Sequence, residues 1–234
     1  MRIANYLNHT ILLDPLLGPK PVVLDCGSNE GEFAAWAHRE FGARVYGYEP
    51  DSRLYAELER KQHPDVTFFC KAIAGKKGTA QFHLRASKCS SLHYGEPGGG
   101  DTEVVETATL SDEFARLGLK HVDLLKMDIE GAELDVLQTT PPETLQRINQ
   151  ISVEFHDFIR PDDRPTIRAI IRRLRDFGFT YLPFSTYTYG DVLFVNPRIT
   201  MTAWQQLGIL TRGKLIPGMK RTTLRPLSRH LLAR

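Results

Sequence analysis

The chain has 234 residues, 41% hydrophobic and 25% charged, with thirty Lys+Arg against twenty-eight Asp+Glu for a net charge of +2. That length buries a sizeable core in one α/β domain with appendages, or at most two small domains. The charge balance excludes a long disordered acidic chain and a surface built throughout for nucleic acid. In chain order, the apolar residues 21–25 run into a glycine-containing turn and then helix-like residues 32–37, which predicts strand, turn and helix. The pattern repeats with a strand over 44–49, Pro50 at a helix start and a helix over 52–60. A third strand is predicted over 66–70, and two more over 78–85 and 103–109. The intervening loop 86–101 contains Ser90, Ser91 and the Gly98–Gly99–Gly100 run. After a short helix near 111–117, the spacing predicts a strand over 121–129, a helix over 131–137, a strand over 148–155, an Arg-rich amphipathic helix over 164–177, and strands over 180–183 and 190–196. Strands alternating with helices predict right-handed βαβ units and a doubly wound, mostly parallel sheet.

The domain is expected to span residues 21–196, with an N-terminal extension over 1–20 and a basic tail over 197–234. Residues 192–234 hold eight basic groups and no acidic one, which leaves twenty-two basic against twenty-eight acidic groups in the preceding body. The tail interleaves Trp204, Leu207, Ile209, Leu210, Leu215, Ile216 and Leu224 with those basic groups, a composition suited to peripheral contact with an anionic membrane surface or to a solvated terminus. Pro217 and Gly218 argue against one continuous helix there. Cys26, Cys70 and Cys89 are odd in number and lack C-x-x-C spacing, so they read as reduced thiols rather than a disulfide framework or a zinc site. The apolar run at 11–13 is cut by Asp14 and Pro15, so neither a signal-peptide core nor a spanning segment is expected, and the localisation expected is cytoplasmic.

In an open α/β sheet the ligand crevice lies beyond the carboxyl ends of the strands, so polar residues there carry the chemistry. The first strand ends in Asp25-Cys26-Gly27-Ser28-Asn29-Glu30-Gly31, whose glycines permit a tight turn and close approach of backbone to ligand. Glu49 ends the second strand eighteen residues after Gly31, about where a site places an acid to accept hydrogen bonds from both ribose hydroxyls of a nucleoside. Asn29 replaces the middle glycine of G-x-G-x-x-G, so a nucleoside without a diphosphate fits better than a dinucleotide. Lys126 and Asp128 are two apart on a strand and share a face, either at the crevice rim or as a buried ion pair. Glu130 and Glu133 open the next helix, where a capping role suits Glu133. Glu154 and His156 alternate onto one face at the end of the following strand, and ionisable groups on an apolar strand are costly unless paired or used.

The D-x-G-x-N-x-G loop followed by Tyr48-Glu49-Pro50 resembles motif I and the following acid of class I S-adenosylmethionine-dependent methyltransferases. Residues 122–133, Val-Asp-Leu-Leu-Lys-Met-Asp-Ile-Glu-Gly-Ala-Glu, resemble the L-K-x-D-x-E-G-x-E signature of the FkbM methyltransferase family. Residues 151–156 resemble its V-E-x-H strand, residues 107–114 its T-L-D segment with Ser111 in place of the acid, residues 70–74 its segment after the third strand, and Ser90-Ser91 its loop serines. The resemblance covers about residues 20–196 and implies a class I, Rossmann-like, seven-stranded fold with S-adenosyl-L-methionine as cofactor. It implies an O-methyltransferase acting on a hydroxyl of a sugar, glycan or small metabolite. The cofactor residues expected are Asp25, Gly27, Ser28, Asn29, Gly31, Glu49, Lys71, Ala72 and Asp128; the catalytic ones are His156, Asp128, Glu154 and Lys126. His156 leads as general base, because its ordinary pKa lies near neutrality, with Glu154 orienting it or contacting the acceptor and Asp128 as the alternative base. No metal is required, although Asp128, Glu154 and His156 are suitable ligands for a divalent cation that binds a diol. The (D/N)-P-P-(Y/F) turn of amino-directed methyltransferases is absent after Lys126-Met127, which favours oxygen as acceptor. The acidic body lacks a recognisable RNA-binding module, which disfavours the alternative of an RNA 2′-O-methyltransferase. A nucleoside-binding module without catalysis is the alternative from another class.

Overall fold

The structure, a computed structural model, describes residues 1–61, 63–84, 91–92 and 101–223, the last ten of these as backbone only. Cys89, Ser90 and the glycine run at 98–100 therefore lie outside the described residues, as does the tail beyond 223. A hairpin, β1 (Ile3–Tyr6) and β2 (His9–Leu12), precedes β3 (Val22–Cys26), α1 (Glu32–Phe41), β4 (Arg44–Tyr48), α2 (Ser52–Arg60) and β5 (Val66–Phe69). There follow β6 (Ala72–Ile73), β7 (Gly78–His83), β8 (Thr102–Ala108), α3 (Leu110–Arg116), β9 (Leu124–Met127), α4 (Glu133–Thr139) and α5 (Pro142–Leu145). The chain then forms β10 (Gln150–Val153), α6 (Arg164–Asp176), β11 (Thr180–Pro183), β12 (Val192–Val195) and α7 (Ala203–Thr223).

Seven strands make the central sheet in the order β11-β12-β10-β9-β3-β4-β5, with β12 antiparallel to both its neighbours and the other pairings parallel. Strand order reverses between β3 and β9, and the carboxyl ends flanking that switch point are where a ligand crevice opens. Both faces are covered, so the inner strands are apolar throughout. Leu24, Leu125, Ile151 and Phe194 face a core shared with Val136 of α4 and Ile167, Ile170 and Leu174 of α6. Val23, Val45 and Leu124 face the opposite core under Phe33, Ala34 and Ala37 of α1.

The sequence expectation of a mostly parallel, doubly wound, seven-stranded sheet is therefore met, with differences in detail. The strands predicted over 78–85 and 103–109 pair with each other and with β6 in a separate three-stranded sheet. The strand predicted over 148–155 ends at Val153, so Glu154 and His156 lie in the turn beyond it. The tail does not break at Pro217 and Gly218, because α7 runs to Thr223. A proline in a helix removes one backbone bond and need not end the helix. Trp204 and Leu207 on α7 are exposed. Among the described residues no helix is long and apolar enough to cross a membrane.

Residues 1–20 are not an appendage. Leu12 joins Leu182, Leu193, Val195 and Ile209 in a third buried cluster, and Ile11 and Leu16 enter the α1 core. The Gln150 side chain pairs with β2 as a strand would, its Nε2 donating to Leu12 O at 2.9 Å and its Oε1 accepting from Leu12 N at 2.8 Å. Asp191 accepts from Thr10 N at 3.0 Å and Thr10 Oγ1 at 2.7 Å. These buried polar bonds fix the register of β2 over the sheet and hold His9 above the ends of β9 and β10.

Candidate active site

The glycine loop after β3 is shaped by close approach of chain to chain. Gly27 has φ +80°, and a Cβ there would overlap the carbonyl of Asp128. Gly31, also left-handed at φ +79°, caps α1 against Leu58 and Phe68. Gly27→Ala is expected to destabilise the fold by more than the ~1–3 kcal/mol that a left-handed φ costs a non-glycine residue, because the overlap adds to it. Urea unfolding of the variant beside wild type measures this, and an unchanged midpoint would contradict the close approach.

Glu49 clamps the loop. Its Oε2 accepts from Asn29 N at 2.7 Å and its Oε1 from Asp51 N at 3.0 Å, leaving each oxygen a further lone pair. Burial pushes the Glu49 carboxyl up to about 7 against the lowering effect of those two N–H donors. It lines a cleft whose walls include Tyr48, Leu54, Ala72, Ile73, Phe82, Leu92 and Ile129, together with Gly27, Asn29, Asp128 and Glu130. An acid able to accept two hydroxyls, beside apolar surfaces for a flat base and a glycine loop whose backbone borders the cleft, fits a nucleoside-bearing cofactor. Tyr48 is held by donating its hydroxyl to the buried Glu113 at 2.9 Å.

Not every residue expected at the cofactor lines this cleft. Lys71 turns away, its Nζ donating to Glu106 at 2.9 Å, which corrects its placement, while its neighbour Ala72 does line the cleft. Ser28 donates to Asp25 O at 3.0 Å and faces the adjoining cleft. Asp25 lies fully buried beneath the loop, with Lys126 Nζ 3.1 Å from its Oδ1. The same ammonium donates to Gly27 O at 2.6 Å, so Lys126 ties the loop to β9. Burial alone would lower its pKa, but Asp25 and Asp128 raise it and keep the ammonium charged.

Beyond Asp128 lies a second cleft of about 300 Å³, lined by Leu7, Asn8, Ser28, Glu30, Glu32, Phe33, Lys126 and Glu154, with Gly27, Asn29 and Asp128 shared between the two. Its ionisable lining residues are Glu30, Glu32, Lys126, Asp128 and Glu154, with His9 and His156 packed against Asp128. Asp128, at the end of β9, is 3.5 Å from His156 Nε2 and 3.9 Å from His9 Nε2. Burial would raise its pKa, yet His9, Lys126 and His156 outweigh that and hold the carboxylate well below its usual range. Glu154, just past β10, is pushed up to about 8 by burial and by repulsion from Asp128 and Glu130, against His156 and Lys126.

His156 departs from the expected neutral base. Its Nδ1 is 3.2 Å from Glu133 and its Nε2 3.3 Å from Glu130, in addition to Asp128, and the ring is 6% exposed. Burial alone would lower its pKa, but Glu133, Glu130 and Asp128 push it up to about 10, which favours the imidazolium with each nitrogen within ion-pair distance of a carboxylate. A ring in that state has no lone pair for a substrate proton. Glu133 does the capping expected of it, accepting from Ile129 N at 2.9 Å and Gly131 N at 2.8 Å, and it also anchors His156. That turn carries Glu130 at φ +53°, with Ser91 donating to Glu130 O at 2.6 Å.

The residue missed by sequence reasoning is His9. It is 1% exposed and lies edge-on to Phe33, with its Nδ1 3.1 Å from Ser152 Oγ. Among the described residues, the side chains close enough to share a cation are His9, Asp128 and Glu154, or Asp128, Glu130 and His156, and not the Asp128, Glu154 and His156 set that the sequence offered as an alternative.

Residues 25–181 match the model of the methyltransferase FkbM domain. The chain is 29% identical over 210 residues to the 2-O-methyltransferase NoeI of Sinorhizobium fredii, covering 82% of this chain and 86% of that protein. It is 27% identical over 232 residues to the 31-O-demethyl-FK506 methyltransferase FkbM of Streptomyces tacrolimicus, covering 85% and 84%. Among solved structures, the Methanococcus jannaschii fibrillarin pre-rRNA processing protein superposes with a TM-score of 0.45 at 14% identity, over 77% of this chain and 67% of that one.

Proposed function

Since the chain belongs to the FkbM family of S-adenosylmethionine-dependent methyltransferases, we propose that it methylates a hydroxyl oxygen of a sugar, a glycan or a small metabolite. The observation that carries this reading is the wall between the two clefts, where Gly27, Asn29 and Asp128 face both. A cofactor held by Glu49 on one side thereby meets an acceptor held among carboxylates on the other. S-adenosylmethionine supplies a methyl group already electrophilic on its sulfonium, so the protein's work is alignment and removal of one proton. Glu49 accepts the ribose hydroxyls, the loop at 27–29 and the apolar walls fix the rest, and Asp128 places negative charge at the cleft wall. Glu154, whose raised pKa of about 8 makes it a base once ionised, takes the acceptor's proton, because it opens onto the second cleft whereas His156 is buried among Asp128, Glu130 and Glu133. The names of the two relatives, both O-methyltransferases, support an oxygen acceptor. Glu30, Glu32, Asp128 and Glu154 around the second cleft would repel a phosphate backbone, which favours an uncharged polyol over RNA.

Incubating the enzyme with methyl-labelled cofactor and a panel of mono- and oligosaccharides tests the proposal. Label in an ether product, with one S-adenosylhomocysteine formed per methyl, is expected; label on amines or RNA alone would overturn it.

A pH dependence follows from Glu49. In the free protein its carboxyl titrates at about 7, and only the carboxylate accepts both ribose hydroxyls. Cofactor affinity is therefore expected to be highest above that pH and to fall toward lower pH, by at most about tenfold per unit. Calorimetry between pH 5.5 and 8.5, the range roughly bracketing that titration, checks this. The profile should flatten in Glu49→Gln, and a flat wild-type profile would contradict it.

A further inference from the structure

One buried atom beside Asp128 has no hydrogen-bond role in the reading above. His9 Nε2 is shielded from solvent and makes no hydrogen bond, and its nearest charged neighbour is Asp128 Oδ2 at 3.9 Å. Ser152 defines the ring's tautomer. Its hydroxyl donates to Thr10 O at 3.3 Å while Oγ lies 3.1 Å from His9 Nδ1. A hydroxyl has one proton, so with that proton on Thr10 O it is Nδ1 that donates to Oγ. Nε2 is then the ring atom that faces the carboxyl groups of Asp128 and Glu154. An unpartnered nitrogen in a buried position costs about 1–3 kcal/mol. A cation placed among these groups supplies the missing partner.

We propose that His9, Asp128 and Glu154 bind a divalent first-row transition ion that faces the second cleft. One ligand atom from each of the three residues falls within a mutual distance of 4.8 Å. Ligands at metal distances of about 2.1 Å lie up to about 4.2 Å apart, so closure needs only small side-chain rotations. One imidazole with two carboxylates suits Mn²⁺, Co²⁺ or Zn²⁺ better than Mg²⁺, which prefers oxygen and retains water. The Nδ1–H to Ser152 bond is the outer contact that orients a metal-binding histidine. Three protein ligands leave open positions on the cleft side, suited to the two oxygens of a vicinal diol. The inference thus rests on the O-methyltransferase reading and narrows the acceptor class to polyols with adjacent hydroxyls. Glu154 can ligate through one oxygen and accept the proton through the other.

The test uses the full chain, stripped with chelator and dialysed, titrated with Mn²⁺ by the loss of its free-ion paramagnetic resonance and with Co²⁺ by visible absorption. One equivalent of each ion is expected to bind. His9→Gln and Glu154→Gln should each weaken binding by about tenfold or more, and Ser152→Ala by about tenfold, while Glu130→Gln changes it by less than about twofold. Glu154 is only partly buried, so its variant keeps the test decisive should His9→Gln fail to fold. Absence of stoichiometric binding, or binding lost in Glu130→Gln and kept in His9→Gln, overturns the proposal. Cofactor binding and methyl transfer measured on the same chelated protein separate the two readings. Full turnover without metal overturns the cation site and leaves the methyltransferase function standing, whereas metal binding without transfer to any hydroxyl leaves the site and removes the reading it rests on.

Discussion

Replacing Glu154 by glutamine is expected to lower kcat for methyl transfer by about 10²–10⁴-fold, with S-adenosylmethionine affinity within about twofold of wild type. The split follows from position. Glu154 lines the second cleft and is absent from the walls of the first, where Glu49, Tyr48 and the glycine loop would hold the cofactor. An amide at this position keeps the size and the hydrogen-bonding capacity but cannot take a proton. His156→Asn reports differently: it removes the positive charge among Asp128, Glu130 and Glu133, so stability and cofactor affinity should shift together with rate. A Glu154→Gln enzyme with wild-type kcat would remove Glu154 from the chemistry and return the proton to Asp128.

Lys126→Met is expected to destabilise the fold by about 3–5 kcal/mol, because removing one partner leaves the other as an uncompensated buried charge. Asp25 is fully buried and 3.1 Å from the ammonium, and the Gly27 carbonyl loses its donor at the same time. Adding Asp25→Leu should restore much of the loss, since a buried pair replaced by apolar groups of similar volume is often neutral. Urea midpoints of the single and double variants decide the point. A single variant within about 1 kcal/mol of wild type would mean that Lys126 is not what neutralises Asp25.

The cofactor side was the more legible half. A glycine loop must follow a strand and precede a helix, and an acid must sit at the end of the next strand; both are local patterns, and Gly27, Asn29 and Glu49 meet in space because β3 and β4 pair in parallel register. Lys126 and Asp128 share a face, as strand periodicity requires, but periodicity does not say that the ammonium is engaged by Asp25 and the Gly27 carbonyl. The basicity of His156 was illegible for a similar reason: its environment comes from Asp128, Glu130 and Glu133, which converge only when the turn at 129–131 adopts positive φ at Glu130 and Gly131.

The hairpin was invisible for a different reason. Its strands are four residues each, and its turn places Leu7 and Asn8 at φ +48° and +65° without the glycine that usually marks such a turn. What fixes it is non-local, namely Gln150 and Asp191, which lie 138 and 181 residues away from the groups they bind. His9 thus reaches the site by tertiary packing alone, where no reading of sequence spacing could place it. The three-stranded sheet of β6, β7 and β8 escaped for the same reason, since strand propensity does not reveal which sheet a strand joins.

The most direct measurement of how the two clefts work together is a crystal structure of the protein with S-adenosylhomocysteine. The expected result places both ribose hydroxyls on the Glu49 carboxylate, the base between the apolar walls that include Ile73 and Phe82, and the sulfur at Asp128 facing Glu154 across the shared wall. A sulfur directed away from the second cleft, or a ribose without contact to Glu49, would contradict the arrangement on which methyl transfer to the acceptor depends.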